Sequence, residues 1–428
     1  MITTAQFPRM FRVRQKFPPS PSLDIPAVLR QQFESQGIVA SLKPGVRVAV
    51  AVGSRGITNL QTIVRSVVAI LKAAGAQPFL VPAMGSHGGA TPEGQTEVLA
   101  EYGVTEQAIG VPIRASMAVE KIGVTEDGVD VLFTVEALRA DGIVVVNRVK
   151  PHTDFQGTIG SGILKMIVIG LGKHAGAARC HAAATHLGYE RVLRSVSRFS
   201  LQHAPILCGV AIVEDQFHQT ARLAVLRTDE IEAREKELLA EAGQRMAKLP
   251  FDEIDFLIVD RIGKNVSGSG LDPNVTGRWV HGYSSALVNE DNARPFIRRI
   301  FVRDLTPETH GNAIGIGFAD FTTTRLVRGM DKKATYINAM TSLTPNGAKI
   351  PIHYDTDREA IATALHSLAL ADSRGARIVR IADTLSLAEL EVSESFLEEV
   401  RKRSDLETLS SPAEVQFDLS ANLLPLEA

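Results

Sequence analysis

The first 150 residues alternate between short apolar runs and longer segments with helical spacing. Residues 46–52 form a mainly apolar run of strand length, and apolar residues recur every three or four positions through 57–74, which predicts a helix. The same pattern predicts a strand at 79–82, a helix at 93–102 and a buried strand at 142–149. Strands that are apolar throughout and alternate with helices are typical of a largely parallel sheet covered by helices.

The loops that follow these strands are the candidate binding loops. In open parallel sheets, ligands bind beyond the carboxyl ends of the strands, where the chain leaves each strand for a loop. The predicted strands place this edge at loop one (53–58), loop two (84–91) and loop three (150–162).

The second half of the chain starts a new set of elements. A long helix is predicted at 229–248 and a strand at 255–259, followed by loop four, a Gly-rich segment at 261–278. Further strands and helices are predicted at 299–302, 376–381, 356–370 and 394–403. We therefore predict two α/β domains, at 1–250 and 251–428. The pattern leaves open whether the end of the chain returns to the first domain.

Composition narrows the class of protein. The 428 residues are 45% hydrophobic and 22% charged, which supplies two ordinary cores, and the net charge of −2 argues against a general nucleic-acid binder. Cys180 and Cys208 form neither a metal-type pair nor a disulfide framework, so a reducing compartment is expected. No signal-like segment and no apolar run of membrane-spanning length is evident, so we expect a cytoplasmic protein without a membrane partner.

Loops one and two each contain a candidate polar side chain. Arg55 lies at a predicted helix start, where its guanidinium would either grip a carboxylate or be solvated at the surface. His87 is surrounded by glycines, which leave an imidazole uncovered and let a ligand approach the backbone; a structural histidine more often has bulky neighbours. Thr91 is a predicted N-cap, with Pro92 at the first helical position.

Loop three is the densest polar segment of the chain. It and the helix that follows contain Lys150, His152, Asp154 and Lys165. Three glycines, Gly157, Gly160 and Gly162, are spaced as in a loop that could cradle a phosphate. The lysine at 165 lies inside an apolar helical run, where it either reaches solvent or is desolvated and becomes nucleophilic.

Two further groups of residues are candidates. The helix after loop three contains His174, His181 and His186, each of which is either a metal ligand or an ordinary histidine. Loop four contains Lys264 and Arg278, and it is either a connector or a loop that closes over a site.

Taken in order, these residues resemble the lactate racemase family, nickel-pincer nucleotide enzymes that racemise or epimerise 2-hydroxy acids. The resemblance rests on Ser54-Arg55, on Gly-Ser-His-Gly-Gly-Ala-Thr around His87, on Lys-Pro-His with a Gly-rich turn and a lysine, and on a histidine in the next helix. It covers most of the N-terminal half and continues more thinly beyond. It implies two α/β domains with mainly parallel sheets and an active site in the interdomain cleft.

The resemblance also implies a cofactor and roles for the residues. The cofactor would be a pyridinium-3,5-dithiocarboxylic-type mononucleotide, tethered to Lys165 and holding nickel through sulfur, carbon and one histidine. That histidine would be His181, with His186 as the alternative, while His87 and His152 would act as acid and base on opposite faces of the substrate. Further implied contacts to the cofactor lie at Ser54, Gly157, Gly160 and Gly162.

The substrate contacts are implied less directly. Arg55 would hold the substrate carboxylate. The stretch from His152 to Lys165 is longer than is usual in the family, and a C-terminal glutamine and lysine of the family motif are not evident here. Lys264 or Arg278 would take their place.

The implied function is a racemase or epimerase of a 2-hydroxy acid, in which the cofactor accepts a hydride and two bases serve the two enantiomers. The implied partners are the small hydroxy acid and the enzymes that assemble the cofactor. One alternative is another metal- or nucleotide-dependent isomerase or lyase acting on hydroxy or sugar acids. Another is a non-catalytic protein that binds a nucleotide or a small acid.

Overall fold

A computed structural model describes residues 6–20, 22–53, 56–153, 155, 157–278 and 294–426. It divides the chain into two compact units. The first, the N-terminal unit, comprises Ser20–His152 and Gln156–Met246. The second, the C-terminal unit, comprises Met1–Pro19, Thr153–Phe155 and Ala247–Ala428.

The strands, in chain order, are β1 (Met10–Gln15), β2 (Arg47–Val52), β3 (Gln77–Pro82), β4 (Val119–Val124), β5 (Asp130–Thr134), β6 (Gly142–Arg148), β7 (Ile206–Glu214), β8 (Thr220–Arg227), β9 (Glu253–Ile262), β10 (Phe296–Leu305), β11 (Phe321–Thr323), β12 (Ile352–Tyr354), β13 (Ile378–Ile381), β14 (Glu389–Ser393) and β15 (Leu406–Thr408). The helices are α1 (Ile25–Ser35), α2 (Ile38–Ser41), α3 (Leu60–Ala73), α4 (Pro92–Glu101), α5 (Glu106–Ile109), α6 (Val135–Leu138), α7 (Ile163–Lys165), α8 (Lys173–Leu187), α9 (Tyr189–His203), α10 (Ile231–Arg245), α11 (Pro273–Thr276), α12 (Thr324–Gly329), α13 (Lys332–Thr341), α14 (Asp357–His366) and α15 (Leu397–Lys402). A π-helix at Met166–Gly170 joins α7 to the turn that precedes α8.

The N-terminal unit is built on a five-stranded sheet in the order β3-β2-β6-β7-β8. Neighbouring strands from β3 to β7 are parallel, and β8 runs antiparallel to β7 at the edge. The predicted largely parallel, helix-covered sheet is confirmed in this unit. The strands read as continuous apolar runs because the residues of β2 and β6 are buried from both faces of the sheet.

Helix α3 covers the sheet with the apolar side that its spacing predicted. Its buried residues are Leu60, Ile63, Val64, Ser66, Val67, Val68 and Leu71. Gly75, with φ of +82°, follows the end of the helix in the left-handed conformation that favours glycine. Helix α4 begins as predicted, since the Thr91 hydroxyl accepts from the Gly94 N–H at 3.1 Å and Pro92 is the first helical residue.

The C-terminal unit contains an eight-stranded mixed sheet in the order β12-β11-β10-β9-β13-β14-β1-β15. The strands from β12 to β13 are parallel neighbours, and β14, β1 and β15 continue the sheet in antiparallel pairing. Asp357, fully buried, accepts from Arg303 at 2.8 Å, from Arg325 at 2.9 Å and from the Leu423 N–H at 2.9 Å. This carboxylate ties the last residues of the chain to the centre of the unit.

The N-terminal residues differ from the predicted domain division of 1–250 and 251–428. The division at 246/247 lies near the predicted boundary, but residues 1–19 group with the C-terminal unit. The reason is that β1 forms hydrogen-bonded ladders with β14 and with β15, and these contacts link positions about 375–395 residues apart along the chain. No local pattern in the sequence signals such a pairing.

No helix in the described ranges combines the length and the apolar character that a membrane crossing requires.

Candidate functional site

The three predicted binding loops of the N-terminal unit emerge at one edge of its sheet. Strand β2 is parallel to β3 on one side and to β6 on the other, so loops one, two and three all follow carboxyl strand ends. Loop one lies between the other two, because β2 is the middle strand of the three. The tertiary structure therefore brings together segments that are separated by up to about 100 residues in sequence.

Loop three is closed at its base by a backbone bridge. The Lys150 N–H donates to the Ser161 carbonyl at 2.7 Å, and the Ser161 N–H donates back to the Lys150 carbonyl at 2.8 Å. His152 lies just inside this bridge and Lys165 lies four residues beyond it. The Lys165 Nζ atom contacts His152 Nε2 at hydrogen-bonding distance. The bridge thus folds the long segment between His152 and Lys165 into a closed loop, and the two side chains lie in contact.

The contact restricts the protonation of the pair. His152 is buried and Lys165 is half-buried, and an ammonium and an imidazolium in contact would repel each other. The contact therefore disfavours two positive charges, and it allows either a lysine ammonium that donates to a neutral imidazole or a neutral amine that accepts from the imidazole. A neutral amine is the nucleophilic form of lysine.

The π-helix that follows Lys165 lies against the other two loops. A Cβ on Gly53 would come within 2.5 Å of both Asn147 Oδ1 and the Met166 methyl, so loop one approaches this segment closely. The Gly85 N–H of loop two donates to the Gly170 carbonyl at 3.4 Å. Single π-helical turns inside helices are frequent at functional sites.

His87 is half-buried in loop two, where it immediately precedes a short 3₁₀ turn. Its backbone N–H donates to the Met84 carbonyl at 3.1 Å. Gly88, with φ of +61°, allows the loop to pass close to α4, because a Cβ there would lie 2.4 Å from the Gly94 backbone. The glycine after the histidine is thus required by the tight turn of the loop, and the His87 backbone is held by a hydrogen bond to Met84.

Ser54 and Arg55 lie outside the described residues, and their predicted roles stay predictions. The neighbouring part of loop one is held firmly. Arg148, at the end of β6, donates to the Gly56 carbonyl at 3.0 Å and pairs with Glu214 at the end of β7. The same Glu214 carboxylate accepts from the Thr58 N–H at 3.0 Å.

His181 lies on α8 with its Nδ1 atom 2.9 Å from the hydroxyl oxygen of Tyr189, at the start of α9. A hydrogen bond to one ring nitrogen fixes the orientation of an imidazole, as is usual for metal-binding histidines. His174 and His186, the other histidines of this helix, are exposed. Over the described part of the chain, no three or more His, Cys, Asp or Glu side chains group in a way that could hold a metal ion.

The three glycines of loop three, whose predicted role as a phosphate cradle stays a prediction, lie against other atoms of the protein. A Cβ on Gly157 would lie 2.1 Å from a Glu190 carboxylate oxygen, and one on Gly162 would lie 2.4 Å from Glu235. A Cβ on Gly160 would meet the Lys150 carbonyl at 2.6 Å. These positions require glycine because protein atoms fill the space, and carboxylates beside them would repel a phosphate.

The two candidates in loop four lie in the C-terminal unit. Arg278 is buried, pairs with Asp320 at 2.8 Å and donates to the Phe318, Ile297 and Arg298 carbonyls. These contacts give Arg278 a structural role, and its predicted contact with the substrate stays a prediction. Lys264 is half-buried and donates to the Gly268 carbonyl at 2.6 Å, which makes it part of an ordered loop.

Sequence reasoning missed Lys173 and Glu235, two residues of the N-terminal unit whose pKa is shifted by burial. Lys173, the first residue of α8, is fully buried, and this burial lowers its pKa to about 8 despite the opposing influence of Glu136. Burial of Glu235 on α10 raises its pKa to about 7, against hydrogen bonds from the Leu164 and Ile163 N–H groups that lower it. The position of Lys173 directly after the long apolar run of 163–172 could have indicated its burial, whereas no sequence pattern indicated the burial of Glu235.

This fold and this cluster of loops define an α/β protein with a lysine–histidine pair at the carboxyl edge of a parallel sheet. Residues 9–191 match the family model described as lactate racemase N-terminal domain, so this part of the chain is similar to the lactate racemase family.

One solved structure supports this fold. The structure of the lactate racemase apoprotein from Thermoanaerobacterium thermosaccharolyticum aligns with 14% identity and a TM-score of 0.51, over 88% of this chain and 93% of that one. A crystal structure of a Thermotoga maritima protein aligns with 14% identity and a TM-score of 0.46, over 78% of this chain and 82% of that one. No curated protein matches the chain.

Proposed function

We propose that this protein is a racemase or epimerase of a 2-hydroxy acid that works with a nickel-pincer nucleotide bound covalently to Lys165. The observation that carries the proposal is the contact between Lys165 Nζ and His152 Nε2 across the closed base of loop three. It sets a lysine that can become a neutral nucleophile beside an imidazole that can take its proton.

The donor set of the N-terminal unit fits such a cofactor. His181 offers one imidazole, and Tyr189 holds its Nδ1 atom, so Nε2 is the donor that we assign to nickel. A metal bound by one imidazole needs its remaining donors from the cofactor itself, and sulfur and carbon donors suit nickel. When bound, the cofactor would hold nickel and accept and return a hydride at the substrate's C2 atom.

The histidines supply the proton transfers of the reaction. His87 follows β3 and His152 follows β6, and these strands flank β2 on its two sides. This order supports an acid–base pair that approaches a substrate from opposite directions. One histidine would take the hydroxyl proton of one enantiomer, and the other would return a proton to the hydroxyl of the opposite enantiomer. We assign the substrate carboxylate to Arg55, whose loop follows the middle strand.

The test of the tether is intact-mass spectrometry of protein made together with the family's cofactor-assembly enzymes. We expect a covalent adduct in the wild type and none in Lys165→Ala. Lys236→Ala, which removes an exposed lysine on α10, is the matched control and should keep the adduct. An adduct that persists in Lys165→Ala would refute the assignment.

The test of the reaction is chiral chromatography of a panel of 2-hydroxy acids incubated with the loaded protein. A racemase or epimerase interconverts the configurations at C2, whereas a lyase yields a keto acid by dehydration. Loss of the interconversion in both His87→Ala and His152→Ala, with the adduct retained, would support the acid–base pair. Formation of a keto acid, or no change in any substrate, would overturn the proposed reaction.

A further inference from the structure

A buried amide connects loop two to the rest of the N-terminal unit. Gln95 lies on α4 and is fully buried. Its Nε2 atom donates to the Gly85 carbonyl at 2.9 Å and, at 3.4 Å, to the carbonyl of His87 itself. A single side chain therefore holds the backbone on both sides of Ser86.

Lys173 fixes the direction of that amide. Its Nζ atom donates to Gln95 Oε1 at 2.8 Å and to the Pro82 carbonyl, at the end of β3, at 2.5 Å. Because an ammonium group can only donate, the amide oxygen must face the lysine and the amide NH₂ must face loop two. The start of α8, the end of β3 and the histidine loop are thus joined through one amide.

The lysine is held there against two unfavourable influences. It is buried with both of these hydrogen bonds made to neutral acceptors, which costs desolvation free energy. Its backbone is left-handed, with φ of +56°, a conformation that residues other than glycine rarely adopt. Strained backbone of this kind concentrates at functional sites, where the surrounding structure imposes it.

We propose that Lys173 and Gln95 are positioning residues that hold His87 in place for proton transfer. This proposal rests on the proposed function, because it assigns the purpose of their network to the acid–base role of His87. The same lysine begins the helix that contains His181, so the network couples the placement of His87 to that of the helix. Neither residue needs to contact the substrate for this role.

Gln95→Glu separates positioning from folding. The new carboxylate still accepts from Lys173 and gains an ion pair, but it can no longer donate to the carbonyls of Gly85 and His87. It would repel these carbonyl oxygens and release loop two. Gln95→Met, of similar length and without either polar end, is the second variant in case the first folds poorly.

The first readout needs neither cofactor nor activity. Hydrogen exchange measured by mass spectrometry should show the amides of 84–91 exchanging about tenfold faster or more in Gln95→Glu, with the helix at 173–187 unchanged. Gln32→Glu is the matched control, since Gln32 also bridges backbone groups, donating to the Leu223 carbonyl at 2.7 Å and accepting from the Val225 N–H at 2.7 Å. Equal protection of 84–91 in wild type and Gln95→Glu would overturn the proposal.

The second readout is kinetic. Displacement of an acid–base group by about 1 Å costs on the order of 100-fold in rate, so kcat should fall by at least about tenfold while KM stays nearly constant. A purely structural role would lower the unfolding temperature and leave the kcat of the folded fraction intact, which contradicts positioning. Absence of racemisation in the wild type would refute the proposed function alone, because the exchange experiment still tests whether these residues hold the loop.

Discussion

The chemistry at the residue scale depends on nitrogen atoms whose proton content is set by their neighbours. The Lys165 amino group contacts the His152 imidazole directly. His181 has its Nδ1 atom beside a tyrosine hydroxyl, and Lys173 is kept from water by burial. Burial lowers the pKa of Lys173 but raises the pKa of the Cys180 and Cys208 thiols to about 12, which leaves both cysteines unreactive.

Under the proposed function, removal of the Tyr189 hydroxyl should weaken the binding of nickel by His181. Groups that orient a metal-binding histidine typically contribute about 10–100-fold in metal affinity, so we expect a loss of that size in Tyr189→Phe. Competition of the loaded protein with a chelator, followed by metal analysis, measures it. Tyr336→Phe, an exposed tyrosine on α13, is the control. Equal nickel retention in both variants would argue against His181 as the ligand.

At the scale of elements, several of the candidate site residues lie on the helical run from α7 through the π-helix to α8. It contains Lys165, Lys173 and His181, and it begins where Glu235 of α10 accepts from the Leu164 N–H at 3.0 Å. A negative charge at a helix start is favourable, yet this carboxyl group is almost fully buried. Its second oxygen, Oε1, finds no hydrogen-bond partner among the described residues. Burial is the larger influence, and it accounts for the raised pKa.

Glu235 should make the stability of the N-terminal unit depend on pH. Its folded-state pKa of about 7 lies above the ordinary value of 4.5, so ionisation disfavours the folded state. Its stabilising contribution is therefore full below about pH 4.5 and is lost as the pH rises to about 7. A shift of this size corresponds to about 3 kcal/mol as an upper limit.

We expect Glu235→Gln to be more stable than the wild type at pH 8 and nearly equal to it at pH 5. Thermal unfolding across this pH range measures the difference. Glu237→Gln alters an exposed glutamate paired with Arg234 on the same helix, and its stability relative to the wild type should not change between pH 5 and pH 8. A constant difference between Glu235→Gln and wild type at all pH values would contradict the raised pKa.

At the scale of the whole molecule, the C-terminal unit contains both the first 19 residues and the residues from 247 onward. Strand β1 belongs to the C-terminal unit, where Met10, Phe11 and Val13 are buried. β1 also separates β14 from β15, so β15 pairs in the sheet only through it. The first residues of the chain thus complete a unit formed mostly by the last 180.

Deletion of residues 2–19 should therefore destabilise the C-terminal unit and spare the N-terminal one. Each fully buried apolar side chain contributes about 1.5–3 kcal/mol, so the loss is comparable with the total stability of an ordinary domain. Limited proteolysis with mass spectrometry should show rapid digestion within 247–428 and persistence of fragments from 20–246. A chain that lacks only residues 2–5, before β1, is the control. Equal survival of both units in the longer deletion would refute this expectation.

The candidate site was predictable where it depended on order along the chain. Loops one, two and three follow strands that local apolar patterns reveal, and parallel strands place such loops at one edge. What fills the space around a residue was not predictable from that order. Arg278 is surrounded by Asp320 and backbone carbonyls, and the glycines of loop three lie against Glu190 and Glu235. A list of residue types contains neither fact.

The sequence by itself determined the strands and helices around the candidate loops, the parallel character of the N-terminal sheet and the resemblance to the lactate racemase family, because these follow from periodicities of two to four residues and from short motifs. Only the tertiary structure decided that β1 joins the distant unit and that Lys165 meets His152. The backbone bridge between Lys150 and Ser161 and the network around Gln95 depend equally on packing. Such contacts form between segments far apart in the chain, and their free energy depends on burial and geometry that no local pattern encodes.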